Sequence, residues 1–143
     1  MRFAIIDNTS AISRRFKALR GALSGNSKKA MLSAVMQART IIAQRTAKGV
    51  DVNGTDFVPY TKAYSAFRKK TGRSERPNLM FSGRMLGNMQ VKANNRKGEI
   101  FFSRSEEGRK AAFNNERRRF FDLSSGELDR VRDVYFRRLT SER

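Results

Sequence analysis

Between Ser27 and Lys48 the chain contains neither glycine nor proline, and Ala30, Met31, Ala34, Val35, Ala38, Ile41 and Ile42 form a continuous apolar stripe. Steps of three and four place them on one face of an α-helix. Asn26 or Ser27 can supply the N-cap, and the helix is predicted to run to about Arg45. At about 1.5 Å per residue such a helix crosses a small domain. Its apolar stripe must then be covered by other parts of the chain.

The remaining pattern supplies candidates for that cover. Arg2 to Ile6 reads as a short strand or an extended arm. Thr9 or Ser10 can cap a first helix with Ile12, Phe16, Leu19 and Leu23 on one face, ended by Gly25-Asn26. Asn53-Gly54 marks a tight turn. Thr61 can cap a short helix bearing Tyr64 and Phe67, which Gly72 terminates, and Thr71 to Pro77 reads as an exposed loop. Ser82 is expected to cap a single helical turn that points Met85, Leu86 and Met89 inward. Gln90 to Ala93 and Glu99 to Ser103 read as strands joined through Asn94 to Gly98, a hairpin expected to cover the long helix. A short helix is predicted from Ser105 to about Phe113. Ser124-x-x-Glu127 is a capping box opening a last helix with Leu128, Val131, Tyr135 and Leu139 inward. The expected fold is α+β: N-terminal helices including one long helix, a small antiparallel sheet with a hairpin, and a C-terminal helix. It forms one domain over residues 1–143, with residues 1–25 as a basic helical arm.

Composition removes whole classes of chemistry. The 143 residues include no Cys, His or Trp. Disulfides, thiolate and imidazole metal sites, and Ser-His or Cys-His nucleophiles are therefore absent. No Gly-rich phosphate loop is present. Carboxylate–magnesium chemistry stays formally open, but the carboxylate pair nearest to it, Asp51 and Asp56, sits in a turn. The expectation is a protein without catalytic residues or cofactors. Phe3 to Ile6 is too short for a signal or a membrane span and ends at Asp7, so the chain is expected to be made in a cytoplasm and to have no membrane partner.

Charge points to partners. There are 31 Lys+Arg against 13 Asp+Glu, a net charge of +18. The first fifty residues hold a single acid, Asp7, whereas the C-terminal part mixes both signs as helix ion pairs do. Such an excess attracts nucleic acid, anionic lipid or acidic protein surfaces. At 38% the hydrophobic fraction is low for a chain with 11 Phe and 6 Met. Some of these side chains are expected to face partners.

Three pieces combine turn residues, aromatics and charge: Gly49 to Tyr64 (GVDVNGTDFVPYTKAY), Asn78 to Met89 (NLMFSGRMLGNM) and Arg117 to Ser124 (RRRFFDLS). In their order and spacing they resemble the virion-morphogenesis or tail-completion proteins of tailed bacteriophages, over roughly Arg45 to Leu128. The family's D-x-N-G turn resembles Asp51, Asn53 and Gly54. Its aromatic-Pro-aromatic element is similar to Phe57, Pro59 and Tyr60, although many relatives carry Trp at the position of Phe57. Its S-G-x-M-L element resembles Ser82, Gly83, Met85 and Leu86, and its R-x-F-F element Arg118, Phe120 and Phe121. The resemblance implies a small α+β structural subunit in the neck, or head–tail connector, of a virion. Such a subunit assembles in the host cytoplasm into a hexameric or dodecameric ring. Its partners are the adjacent neck or head-completion proteins, the tail-terminator or tail-tube proteins, and packaged DNA contacted without sequence specificity.

Each motif also has a plainer reading. The Asn53-Gly54 turn is a docking tip or an ordinary chain reversal. Phe57, Tyr60, Tyr64 and Phe67 are core side chains by default and partner contacts otherwise. Arg117 to Arg119, like Arg14, Arg15, Lys17, Arg20, Lys28 and Lys29, form a solvated face, a match to an acidic ring, or a contact to DNA phosphates. The alternative function is a basic nucleic-acid-binding protein of ribosome-associated type, although no helix-turn-helix, RNP aromatics or GXXG loop is present.

Overall fold

The computed structural model describes residues 28–141. The expected N-terminal arm and first helix, with Arg14, Arg15 and Arg20, lie outside them. The elements are α1 (Lys28–Ala47), α2 (Lys62–Lys70), α3 (Arg84–Gly87), β1 (Met89–Ala93), β2 (Gly98–Phe102), α4 (Ser105–Arg117) and α5 (Ser125–Thr140), an α+β arrangement.

Helix α1 is the spine. Ala30, Met31, Ala34, Val35, Ala38, Ile41 and Ile42 are all buried, as the spacing requires. Each large aliphatic among them contributes about 1.5–3 kcal/mol through loss of water contact. The hairpin packs on this stripe, but α5 covers more of it. The alanines keep the helix surface low, so two elements can approach it. On the hairpin side contact is tightest at Gly98, where a Cβ would lie 3.1 Å from Val35 Cβ and 3.4 Å from Met31 Sδ.

Strands β1 and β2 pair antiparallel, with Met89 opposite Phe102, Val91 opposite Ile100 and Ala93 opposite Gly98. Gly98, Ile100 and Phe102 are buried while Glu99 and Phe101 alternate outward. Both strands begin one residue earlier than their sequence pattern suggests, because Met89 and Gly98 join the ladder. A two-stranded sheet is marginal alone, and its apolar face is completed by α1 and by Phe121, whose ring lies 5.5 Å from that of Phe102.

Helix α5 opens with the full capping box, Ser124 and Glu127 each bonding the other's backbone N–H. Glu127, Val131 and Tyr135, four residues apart, form its buried edge. Helix α4 runs one turn beyond Phe113, since nothing from Asn114 to Glu116 breaks it. At α3 the cap position belongs to Gly83 (φ 75°), not Ser82. The Ser82 hydroxyl accepts weakly from the Arg84 N–H at 3.4 Å. Met85, Leu86 and Met89 point into the core.

An aromatic and arginine cleft as the candidate site

The segment from Val58 to Met85 forms the walls of an open cleft of about 730 Å³, closed on its far side by α4 through Glu107, Lys110, Phe113 and Arg117. Its construction begins at α2. The Thr61 hydroxyl accepts from the Tyr64 N–H and starts the helix. Arg68, Lys69 and Lys70 occupy the last turn, where cations suit the helix dipole. Gly72 (φ 72°) then reverses the chain, and its N–H returns to the Lys69 carbonyl.

Arg68 organises the loop that follows. It is 1% exposed and has no carboxylate partner among the described residues. Its guanidinium donates to the carbonyls of Ser74 (2.6 Å) and Met80 (3.1 Å) and to Asn78 Oδ1 (3.2 Å). The Tyr60 and Tyr64 rings flank it at 5.0 and 5.8 Å. Carbonyl dipoles and ring faces thus replace the counter-ion a buried cation otherwise needs. The same loop holds Leu79 at φ 56°, a left-handed conformation costly for a branched side chain. The Leu79 N–H donates to the Tyr60 hydroxyl at 3.3 Å.

The aromatics form a ladder. Tyr60 meets Tyr64 edge-on at 4.9 Å, Tyr64 stacks toward Phe67 at 6.2 Å, and Phe67 lies nearly parallel to Phe81 at 6.0 Å. Arg73 covers Phe81, its guanidinium 3.9 Å from the ring centroid, and donates to the Phe81 carbonyl at 2.9 Å. Tyr64 and Phe67 are exposed, which corrects the default expectation that they belong to the core. Phe57 is buried, as that default holds, and Tyr60 is intermediate.

The three motif pieces meet around this cleft. Arg118 leaves α4 in an extended conformation and donates to the Val58 carbonyl at 2.9 Å, with the Tyr60 ring 4.9 Å away. Pro59, Tyr60, Ser82, Gly83, Met85 and Arg118 all line the cleft. The Asp51 turn does not line the cleft and is joined to the third motif piece. Asp51 Oδ1 accepts from the N–H groups of Asn53 and Thr55 at 2.8 and 2.9 Å. The buried Val52 donates its N–H to the Arg119 carbonyl at 2.9 Å. Asn53 and Gly54 are exposed at the tip, and Gly54 takes φ 81°.

The other motif residues lie inside the subunit. Phe120 and Phe121 are fully buried, as are nearly all of Phe57, Met85 and Leu86. These side chains fix the chain's own core, and the surfaces beside them are formed by their neighbours. Arg119 pairs with Asp122 at 2.7 Å, and Arg117 lies over Phe113 with its guanidinium 5.1 Å from the ring centroid. Asp51 spends a carboxylate oxygen on its own turn, and Asp56 reaches Arg76 at 3.9 Å. Among the described residues no three His, Cys, Asp or Glu side chains converge as metal ligands, and no helix is long and apolar enough to cross a membrane.

Sequence reasoning missed Arg68, Leu79, Glu107 and Phe113. The spacing of Tyr60, Tyr64 and Arg68 places them on one side of a helix start, which is a usable signal for the ladder. No local signal marks Arg68 as buried, because its partners come from residues 74–80. No family model, curated protein or solved structure matches the chain.

Proposed function

We propose that the chain is a structural assembly subunit of a tailed-phage virion, acting in a ring of the neck or tail-completion region. It joins tail to head and carries no catalytic role. The observation that supports this reading is the meeting of the three family-like motif pieces around one open cleft. The cleft's rim leaves Val58, Phe67, Phe81 and Phe113 exposed, whereas Phe57, Phe102, Phe120 and Phe121 are buried. Clustered exposed aromatics mark an interaction surface. An obligate ring subunit meets its partners through such surfaces.

Electron microscopy of the purified protein and of its parent particle tests the reading. Ring-shaped oligomers, or density for the chain at the neck, are expected. A protein that stays monomeric at high concentration and is absent from particles would overturn it. A second reading, a general nucleic-acid-binding protein, is favoured by the net charge of +18. A salt-dependent shift of DNA or RNA by the monomer at physiological salt would support that one instead.

A further inference from the structure

We propose that the cleft docks a short acidic segment of a neighbouring protein, with an apolar side chain inserted between Val58, Phe81 and Phe113 and carboxylates on the flanking arginines. This deepens the assembly reading and rests on it for the kind of partner.

Charge complementarity carries the choice of occupant. Arg68, Arg84, Arg117 and Arg118 line the cleft, and Arg73 stacks beside it on Phe81. Among the described residues none of them makes an ion pair. The other cation, Lys110, is already held by Glu106 at 3.0 Å and Glu107 at 3.3 Å. Arg68 is buried and spent on the carbonyls of its own loop, and Arg73 and Arg118 each spend donors on backbone carbonyls, so the exposed Arg84 and Arg117 are the guanidinium groups placed to receive carboxylates, which the guanidinium fork binds with defined geometry. Val58 and Phe113 are 60% and 59% exposed in the same cleft, so the ligand must also bring an apolar group.

The ring geometry argues against nucleic acid as the occupant. Single strands bind by stacking bases on free aromatic faces. Here Phe81 carries the Arg73 guanidinium, Phe113 carries that of Arg117, and Tyr60 has those of Arg68 and Arg118 about 5 Å from its centroid.

Fluorescence anisotropy on the full chain at physiological salt tests the proposal with three labelled probes: a peptide alternating Glu with Phe or Leu, an all-Glu peptide, and oligo-dT of similar charge. The mixed peptide is expected to bind at least about tenfold more tightly than either of the others. Phe113→Ser and Arg117→Glu, both on exposed side chains, should each weaken it by about tenfold or more. Arg130→Glu with Arg138→Glu, outside the cleft, should leave it within about twofold, and circular dichroism should be unchanged in all of them. The proposal is overturned if the mixed peptide gains nothing over the all-Glu peptide, if oligo-dT binds best, or if cleft and control variants behave alike. Selective peptide binding by a chain absent from particles would sink the assembly reading and leave the docking site standing. A neck component that ignores the mixed peptide would do the reverse.

Discussion

Arg45 and Glu127 lie 82 positions apart in sequence, yet the carboxylate that closes the capping box of α5 is also the one that receives the Arg45 guanidinium from the end of α1. The Glu127 oxygen accepts from the Ser124 N–H at 2.8 Å as well. Arg45 goes on to donate to the carbonyls of Phe120 and Asp122 at 2.5 and 2.9 Å. One nearly buried ion pair thus ties the spine helix, the Phe120–Asp122 turn and the start of the last helix together.

Removing either partner leaves a buried charge without its counter-ion. Arg45→Met or Glu127→Gln is expected to cost about 3 kcal/mol in denaturant unfolding. The double substitution should recover part of that loss, because no lone charge remains. Single variants with unchanged midpoints would show that the pair is dispensable.

Gly98 sets the distance between hairpin and spine. Gly98→Ala should destabilise by about 1–3 kcal/mol, since the new methyl meets Val35 Cβ at 3.1 Å on a helix that cannot easily retreat. Val35→Ala in the same chain should not restore the loss, because alanine keeps the Cβ atom that makes the 3.1 Å contact. By contrast, Val35→Asp or Ile41→Asp should unfold or aggregate the protein through an unpaired buried charge. Soluble Val35→Asp protein with an unaltered melting temperature would contradict the placement of the stripe.

Arg68→Leu should loosen residues 71–82 without melting the rest. It removes the donor for the Ser74 and Met80 carbonyls and the support of the Leu79 conformation. Limited proteolysis should cut this loop at least about tenfold faster, since the expected loss is above 1.4 kcal/mol. Unchanged cutting would show that the loop holds itself.

The hairpin should weaken in acid. Partial burial pushes the Glu99 carboxyl up, but hydrogen bonds and charge from Lys92, 2.7 Å away, and from Lys97 outweigh this and hold it below its ordinary value of 4.5. A lowered folded value means the contribution is fully present above pH 4.5 and is lost as pH falls through the folded value. The stability difference between the native chain and Glu99→Gln should be about 0.2–1 kcal/mol near neutrality and shrink below that pH. A difference that is flat across the acid range would rule this out.

The run Arg117 to Arg119 should divide by position. Arg119→Glu should lower stability by about 1 kcal/mol, because it faces Asp122 with the wrong sign. Arg118→Glu should disturb the Val58 segment, whose carbonyl it holds. Arg117→Glu should leave the melting temperature within about 1 °C and act on partner binding alone. Equal effects at the three positions would mean the run is one undifferentiated face.

Much of the fold is legible locally. The stripe from Ala30 to Ile42, the Thr61 cap, the Gly72 stop and the Ser124–Glu127 box depend on spacings of three and four and on side chains that bond their own backbone. These are short-range effects, so the sequence carries them directly. Strand ends differ by a residue from the local pattern because pairing across space decides them, as at Met89 and Gly98.

What the sequence by itself determined was the helices found among the described residues, the hairpin, the inward face of the spine helix, the absence of Cys and His chemistry, and a large positive charge. Only the tertiary structure decided that α5 shares the spine with the hairpin, that Phe120 and Phe121 turn inward while Tyr64, Phe67 and Phe113 stay outside, and that Arg68 is buried. The physical reason is that burial of an aromatic or an arginine depends on which distant carbonyls, rings and carboxylates arrive beside it. Those partners are set by the packing of the whole chain and have no local periodicity to announce them.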